Sequence, residues 1–524
     1  MFLKKLFGPI GIGGASALMA FTSFLSYAAG LIRDRAIAVH FGTSAATDTY
    51  NASFLIPDTL FNIFIAGALM AAFMPMFSEY LHKDKDEARS LANTMLSGVS
   101  LLTAFLSVIA FIFMEQIIPG VFPSVDPEGQ KNIIFMTRLM LPSAFIFAIS
   151  NTLGNILMTY RHFLSVAISP ILYNLGIILG IVLLNDKFGI YSAAIGVLIG
   201  AVLHLTIRII DTCATKYRYK PELRVSHPGF KKIIKLMIPK SFSLIVWQLN
   251  LYIFAVVGMR MIEGGLAAFN FARNIQSFAV SLFGIAFATA VFPNLNAAIS
   301  RGDKVSFTQN IQKTIQRILF FSIPATIGLI IMAKQITDLI LGGGEFNEKS
   351  LKLTSAVLLF FAISIPFEGL SHLLSRSYYA MKNTITPMII NVFSLSIVAA
   401  ITIFVAPKLG IQWFSIGFTI GFVIYNILFF IILSKHLERF ETKKFLLSIA
   451  KTCVATGVMG GILYLTKDLN LYIEVTDKLI SAIRIALGGI AFFIAAYLMK
   501  SPELSSINFL LHKLLKKQDV QVNE

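Results

Sequence analysis

Charged residues are scarce in this sequence. Asp, Glu, Lys and Arg together occupy 14% of the 524 positions, whereas hydrophobic residues occupy 56%, and the mean hydropathy is +0.77. A soluble domain needs far more charge to cover its surface. Apolar runs of roughly 20 residues, the length that crosses a bilayer, recur along most of the chain. The composition therefore excludes an ordinary soluble protein and predicts an integral membrane protein.

Motifs for bound cofactors are also missing. The sequence contains no phosphate-binding loop with Lys-Ser/Thr, no His-Glu-x-x-His, no Cys-x-x-Cys and no dinucleotide fingerprint. Gly342–Gly344 is expected to be a loop turn, and the two cysteines, Cys213 and Cys453, predict neither a disulfide framework nor a metal site. We therefore expect no cofactor and no metal. Energy would come from the membrane potential or from a gradient, such as that of a monovalent cation.

The apolar segments predict an all-α polytopic protein of about 14 transmembrane helices. The predicted helices lie near residues 11–40, 47–79, 88–117, 131–159, 163–184, 188–215, 232–258, 264–297, 307–335, 350–380, 385–406, 410–435, 443–466 and 477–500. The first apolar run is too long for a cleavable signal peptide. An even helix count leaves both termini in the cytoplasm.

The net charge of +17 is carried mainly by residues between the predicted helices. With the N-terminus inside, most of these basic residues lie on cytoplasmic loops, as the positive-inside rule requires. The partners expected for them are anionic membrane lipids and not nucleic acid.

Two weak sequence matches indicate an internal repeat. Residues 68–75 resemble residues 286–293 at an offset of about 218, and residues 170–174 resemble 387–391 at an offset of about 217. Two six-helix lobes in a parallel pseudo-twofold repeat, with two extra C-terminal helices, would produce this pattern. The predicted domains are an N-lobe (1–215), a basic linker (216–231), a C-lobe (232–435), the two added helices (436–504) and an amphipathic cytoplasmic tail (505–524).

A few charged residues interrupt the predicted helices, where each costs at least about 2.5–3.5 kcal/mol unless it has a partner or a cavity. Arg33 in the first lobe and Arg273 in the second are candidates for a shared cationic site, because guanidinium matches phosphate oxygens. Asp34, Asp48 and Asn270 are candidates for orienting these arginines. Arg33 and Asp34 are adjacent, about 100° apart on the helix, and are not expected to neutralise each other. A structural pair of Arg33 with Asp48 is the alternative.

Three further charged sites are expected to have smaller roles. Glu368 is a candidate for proton or cation coupling, or for a structural pair with Arg376. Arg208 and Asp211 have the spacing of an i, i+3 ion pair. Arg484, in the last predicted helix, is expected to extend towards the headgroup layer.

The motifs around these charges resemble a known family. They comprise Gly30-Leu31-Ile32-Arg33-Asp34, Phe41-Gly42, Ala46-Thr47-Asp48-Thr49-Tyr50, Ile56-Pro57, Ala72-Phe73-Met74-Pro75 and, in the second lobe, Phe271-Ala272-Arg273. In order and spacing they resemble the MurJ/MviN lipid II flippases of the multidrug/oligosaccharidyl-lipid/polysaccharide exporter superfamily. The resemblance covers essentially the whole chain.

The resemblance implies a transporter and not an enzyme. It implies export of lipid II, the undecaprenyl-pyrophosphate-linked muropeptide, from the cytoplasmic to the outer leaflet of the bacterial inner membrane by alternating access. Arg33 and Arg273 would bind the pyrophosphate of this lipid-linked anionic precursor, and cell-wall synthesis proteins would be partners.

The chain also departs from the family pattern. Tyr27, Phe61, Asn62 and Ala66 occupy positions where the family resemblance leads one to expect charged residues. It would therefore be a divergent member, in which Arg138 or Lys240 could compensate. A flippase for another polyprenyl-pyrophosphate-linked saccharide and a cation-coupled drug or metabolite antiporter of the same superfold remain alternatives.

Overall fold

The computed structural model describes residue 8 and residues 12–62, 67–468 and 476–504, and the secondary structure of these residues is helical without a strand. The first ten helices are α1 Ile12–Phe41, α2 Ala45–Ser53, α3 Leu55–Phe61, α4 Gly67–Lys83, α5 Lys85–Val121, α6 Pro127–Thr159, α7 Leu164–Phe188, α8 Tyr191–Ala214, α9 Pro228–Met261 and α10 Gly265–Val280. The following ten are α11 Ala286–Ser300, α12 Lys304–Ile331, α13 Ala333–Leu341, α14 Glu348–Ala362, α15 Ile365–Ala380, α16 Ile385–Phe404, α17 Ala406–Leu409, α18 Gln412–Ser434, α19 Thr442–Leu465 and α20 Asp477–Leu498. The predicted amphipathic tail lies outside the described residues.

The predicted class, an all-α polytopic membrane protein, is confirmed. Within the described ranges, 11 helices are long and apolar enough to cross a membrane, or up to 12 if the bent pair α14 and α15 forms one span. The expected number of about 14 is not confirmed by this count. Some predicted helices are not continuous: the second is divided between α2 and α3 at Phe54, and the eighth contains a π-helical segment at Ser281–Ile285.

The chain forms two compact units. Unit 1 comprises Met1–Phe271, Leu341–Ser350 and Thr402–Ile411, and unit 2 comprises Ala272–Ile340, Leu351–Ile401 and Gln412–Glu524. These units are defined by packing and do not test the predicted domain boundaries, which stay predictions together with the pseudo-twofold repeat.

Helices α7 and α8 in unit 1 pack closely because glycines face each other. A Cβ atom on Gly176 would lie 2.2 Å from the Cα atom of Gly200, and one on Gly180 would lie 2.4 Å from the Cα atom of Gly196. Each helix thus presents two glycines four residues apart, the small-residue spacing that lets membrane helices approach. This packing positions α7, which carries a residue of the candidate site.

Unit 2 has a similar close approach where its helices depart from regular geometry. The π-helical segment Ser281–Ile285 connects α10 to α11, and a Cβ atom on its Gly284 would lie 2.4 Å from the Cα atom of Gly369 in α15. Single π-helical turns are frequent at functional sites. The π-helical segment directly follows α10, the helix that carries the candidate residue Arg273.

Candidate functional site

Arg33 lies within α1 and its side chain is 22% exposed. Its Nη2 and Nε atoms lie 2.7 Å and 3.0 Å from the Oδ1 atom of Asp34. The expectation that these adjacent residues would not neutralise each other is therefore wrong. The arginine side chain is long enough to turn back along the helix surface and reach the neighbouring carboxylate.

Asn174 in α7 completes the environment of the Arg33 guanidinium. The Nη1 atom of Arg33 donates a hydrogen bond of 3.1 Å to the Oδ1 atom of Asn174, and the Nδ2 atom of Asn174 donates to the Pro170 carbonyl at 3.1 Å. Sequence reasoning did not identify Asn174 as a site residue. The signal was present, because Asn174 ends one of the two repeated Pro-x-x-x-Asn segments.

Further polar groups interact with Arg33 electrostatically. They are the carboxylate of Asp58 and the phenol groups of Tyr50 and Tyr173. Within the described part of the chain, the Asp58 carboxylate has no hydrogen-bond or ion-pair partner. The hydrogen bonds of Arg33 to Asp34 and Asn174 use three of the five N–H groups of its guanidinium. Two N–H groups therefore remain for a ligand.

Asp48 has a different role from the one expected. Its Oδ2 and Oδ1 atoms accept hydrogen bonds of 2.8 Å each from the backbone N–H groups of Gly264 and Ala267. These amides belong to the start of α10, where backbone N–H groups have no partner within the helix. Asp48 therefore caps α10, and this arrangement does not support the alternative of an Arg33–Asp48 pair.

Helix α10 carries two of the predicted site residues, Asn270 and Arg273, which are both half-buried. Asn270 belongs to unit 1, and its side chain has no hydrogen-bond partner among the described residues. Arg273 belongs to unit 2, where it interacts electrostatically with Glu368. The structure describes Arg33 and Arg273 in separate units, so their shared site stays a prediction.

Glu368 is fixed by a glutamine. The Nε2 atom of Gln276 donates to the Oε2 atom of Glu368 at 2.7 Å and to the Oγ atom of Ser364 at 2.9 Å. No ion pair joins Glu368 to Arg376 in the described structure, so that alternative is wrong. The coupling role of Glu368 stays a prediction.

Backbone and side-chain hydrogen bonds join the end of α1 and the residue Thr43 to the segment Leu341–Ser350 within unit 1. The N–H group of Glu345 donates to the carbonyl of Val39 at 2.9 Å, and the hydroxyl group of Thr43 donates to Ser350 at 2.8 Å. Gly344 has a φ of 55°, and a Cβ atom there would lie 2.2 Å from the Val39 carbonyl oxygen. The triglycine segment forms the turn expected from the sequence, and that turn packs on the end of α1.

Arg208 and Asp211 do not pair with each other, contrary to expectation. Arg208 is 4% exposed and donates to the Ser150 carbonyl at 2.7 Å, to the Asn151 side chain at 3.2 Å and to the Ser169 hydroxyl at 3.1 Å. Asp211 accepts from Ser165 and lies 2.7 Å from the Nδ1 atom of His162. Neutral acceptors on two neighbouring helices lie closer to Arg208 than its own helix neighbour.

Arg484 and Arg138 are also used locally. The Nη2 atom of Arg484 donates to the Leu463 carbonyl at 2.8 Å, at the C-terminal end of α19, and the expectation that Arg484 extends to the headgroup layer stays a prediction. Arg138 bonds to Glu115 at 3.1 Å and to the Phe111 carbonyl at 3.0 Å. These contacts do not support compensation by Arg138, and the side chain of Lys240 lies outside the described side chains.

The fold and the charged groups within it define a class of protein, a polytopic membrane transporter. An inward-facing multidrug resistance MATE family transporter of the MOP superfamily is 15% identical, with a TM-score of 0.59, and the match covers 83% of this chain and 98% of that chain. The likeness to this transporter concerns the fold alone.

The family is more specific. A family model described as "Lipid II flippase MurJ" matches residues 37–483, and the chain belongs to this family. A solved structure, "Lipid II flippase MurJ, inward closed conformation", has a TM-score of 0.79 and 25% identity over 92% of this chain and 98% of that chain. A "Probable lipid II flippase MurJ" from Rickettsia prowazekii is 27% identical over 494 residues, 92% of this chain and 97% of the relative. A "Lipid II flippase MurJ" from Thermosipho africanus is 29% identical over 455 residues, 86% of this chain and 90% of the relative.

Proposed function

We propose that this protein moves lipid II from the cytoplasmic to the outer leaflet of the bacterial inner membrane. Membership of the MurJ family supports this function over transport of a different polyprenyl-linked saccharide or of a small drug. The observation that carries the proposal is the Arg33 guanidinium, which lies in α1 with N–H groups left for a ligand.

Arg33 binds the pyrophosphate of the lipid in this proposal, and Asp34 competes with that pyrophosphate. A carboxylate at 2.7 Å must yield at least one of its two bonds before a diphosphate can take the full guanidinium fork. Asp34 thus keeps Arg33 paired when no lipid is bound, and its competition lowers the free energy needed to release the lipid. Arg273 supplies the second cation of the proposed site, and Asn270 a further polar contact.

The proposed cycle is alternating access. In unit 1, the contacts of Val39 with Glu345 and of Thr43 with Ser350 support a state closed at that end. Opening this end requires these bonds and the close approach at Gly344 to separate. The membrane potential or a monovalent cation drives the cycle, and Glu368, held by Gln276, is the candidate for sensing the ion.

The orientation and the partners belong to the same proposal. Both termini lie in the cytoplasm, so the linker between α8 and α9 faces anionic lipids of the inner leaflet. Cell-wall synthesis proteins receive the lipid after translocation. Accessibility of a single cysteine introduced at Lys220, tested with an impermeant thiol reagent, checks the orientation; labelling in intact cells would contradict it.

The experiment that tests the function is depletion of this protein in its host, complemented by variants. Arg33→Gln should fail to restore translocation, so that lipid II accumulates on the inner leaflet, and Arg33→Lys should restore it only in part because the bidentate fork is lost. Arg138→Gln is the matched control, because it removes an arginine paired at the surface with Glu115. Normal translocation by a well-expressed Arg33→Gln variant would refute the assigned role of Arg33. Accumulation of a different lipid-linked saccharide on depletion would refute the substrate.

A further inference from the structure

Unit 1 contains a cavity lined by basic side chains, and Arg33 is not part of its lining. Its volume is about 700 Å³, and among the described residues it is lined by Gly8, Leu81, Lys85, Arg89, Tyr160, His162, Ala214, Thr215 and Lys216. No Asp or Glu belongs to this lining. The cavity lies where α4, α6 and α8 end and α5 begins, on the same side of unit 1 as the basic linker.

Two segments of the chain bring three basic side chains to the cavity. Lys85 is the first residue of α5 and Arg89 lies one turn further on, so the two side chains share a helix face. Lys216 follows α8. Of the neighbouring acidic groups, Asp86 lies 3.7 Å from Arg89 and is 91% exposed, and Asp211 is held by His162 and Ser165. The lining of the cavity is therefore positively charged.

The buried wall of the cavity is formed by a histidine with one ring nitrogen unoccupied. His162 is 8% exposed, and its Nδ1 atom lies 2.7 Å from the Oδ1 atom of Asp211, which also accepts a hydrogen bond from Ser165. The Nε2 atom has no partner in the described part of the chain. A carboxylate on Nδ1 fixes the orientation of the ring. His162 thus presents a positioned polar atom to a basic cavity.

We propose that this cavity binds a phosphate ester group. Two lysines, one arginine, a held imidazole and the Tyr160 hydroxyl provide what a phosphate requires, several donors around a lining that contains no carboxylate. The cavity lies at the ends of α4, α6 and α8 and has apolar lining residues, Leu81 and Ala214. The phosphate can belong to an anionic phospholipid headgroup or to a free phosphate compound.

Native mass spectrometry of the full-length protein, released from a neutral detergent, tests the proposal. The probes are phosphatidylglycerol, diacylglycerol as a lipid without a phosphate group, and inorganic pyrophosphate. The variant Lys85→Gln/Arg89→Gln/Lys216→Gln removes the three basic groups. Its matched control, Lys220→Gln/Lys231→Gln/Lys235→Gln, removes three exposed charges from the same basic region outside the cavity.

We expect one saturable site that the control triple leaves intact and that the cavity triple weakens at least about tenfold, because hydrogen bonds to charged groups are each worth more than about 1.5 kcal/mol. His162→Gln should weaken the same site by about threefold or more. Binding of phosphatidylglycerol without pyrophosphate would assign a lipid headgroup, and binding of both would show that the phosphate group alone suffices.

Several outcomes would overturn the proposal. One is equal affinity of the cavity triple and the control triple, and another is the absence of saturable binding of either anionic probe. Equal binding of diacylglycerol and phosphatidylglycerol would also contradict it, because it would show recognition without a phosphate group. The three basic residues are exposed, so their replacement should leave the apparent Tm unchanged and the comparison interpretable.

Discussion

Replacement of Asp48 tests whether one carboxylate holds the start of α10. Both of its oxygens accept backbone N–H groups at 2.8 Å, one from Gly264 and one from Ala267. These amides lie in or before the first turn of α10, so no carbonyl of the same helix can replace Asp48. Leaving a buried N–H group unsatisfied costs about 1–3 kcal/mol. Asp48→Ala should therefore destabilise this helix start by about 2 kcal/mol or more.

Hydrogen exchange measured by mass spectrometry reports this loss directly. A cost of about 2 kcal/mol corresponds to about 30-fold faster exchange of the amides at Gly264 and Ala267. Asp48→Asn keeps one acceptor oxygen but places an amide NH₂ group against the second N–H, and should give about half of the free-energy effect. Asp58→Asn is the control, because the Asp58 side chain has no backbone partner in the described structure.

The same variants connect the cap to transport. Asn270 and Arg273 both lie on α10, so fraying of its first turns should lower translocation. The loss should be smaller for Asp48→Asn than for Asp48→Ala. Exchange at Gly264 and Ala267 that is unchanged in Asp48→Ala would refute the capping role. Faster exchange with unchanged translocation would instead refute the link between the start of α10 and transport.

Three further substitutions have defined outcomes. Gly344→Ala should abolish translocation, because its Cβ atom would lie 2.2 Å from the Val39 carbonyl oxygen at a φ of 55°; wild-type complementation would contradict the closed end of unit 1. Gly154→Ala should lower the apparent Tm by displacing the Arg208 guanidinium, whose Nη1 atom would lie 2.8 Å from the new Cβ, at a cost of about 2 kcal/mol; an unchanged Tm would contradict this. Arg484→Met should lower the free energy of unfolding by about 1 kcal/mol, because the bond of Arg484 to a helix-terminal carbonyl is lost. Thermal unfolding measures this change, and a more stable variant would contradict the stabilising role of Arg484.

Hydropathy predicted where the helices lie, because an apolar run of sufficient length has few alternatives in a bilayer. It did not predict where they break. The second predicted helix is interrupted after Ser53, and the eighth loosens into a π-helical turn at Ser281. Breaks of this kind depend on neighbouring helices that satisfy or displace backbone hydrogen bonds, and hydropathy carries no record of them.

The charged residues of the site were identified from the sequence, but their partners were not. Asp48 lies 216 residues from Gly264 in the chain, and Arg33 lies 141 residues from Asn174. Local spacing cannot indicate contacts at such separations. For Arg208 and Asp211, local spacing indicated the wrong partner, because acceptors from other helices were closer. Reading the glycine spacing of α7 and α8 as a packing signal would have placed Asn174 near the first lobe's core.

The completeness of each charged group's partners separates structural from functional residues in unit 1. Arg208 has three neutral acceptors, Asp211 has a hydroxyl and an imidazole donor, and Asp48 has two backbone donors. Burying a charge is tolerable when such partners are present, so these groups need no ligand. Arg33 keeps free N–H groups, and Asp58 has no hydrogen-bond partner among the described residues. The fold therefore leaves this arginine and this carboxylate with unused hydrogen-bonding capacity. A charged substrate, or an ion accompanying it, would gain most by binding to these two groups.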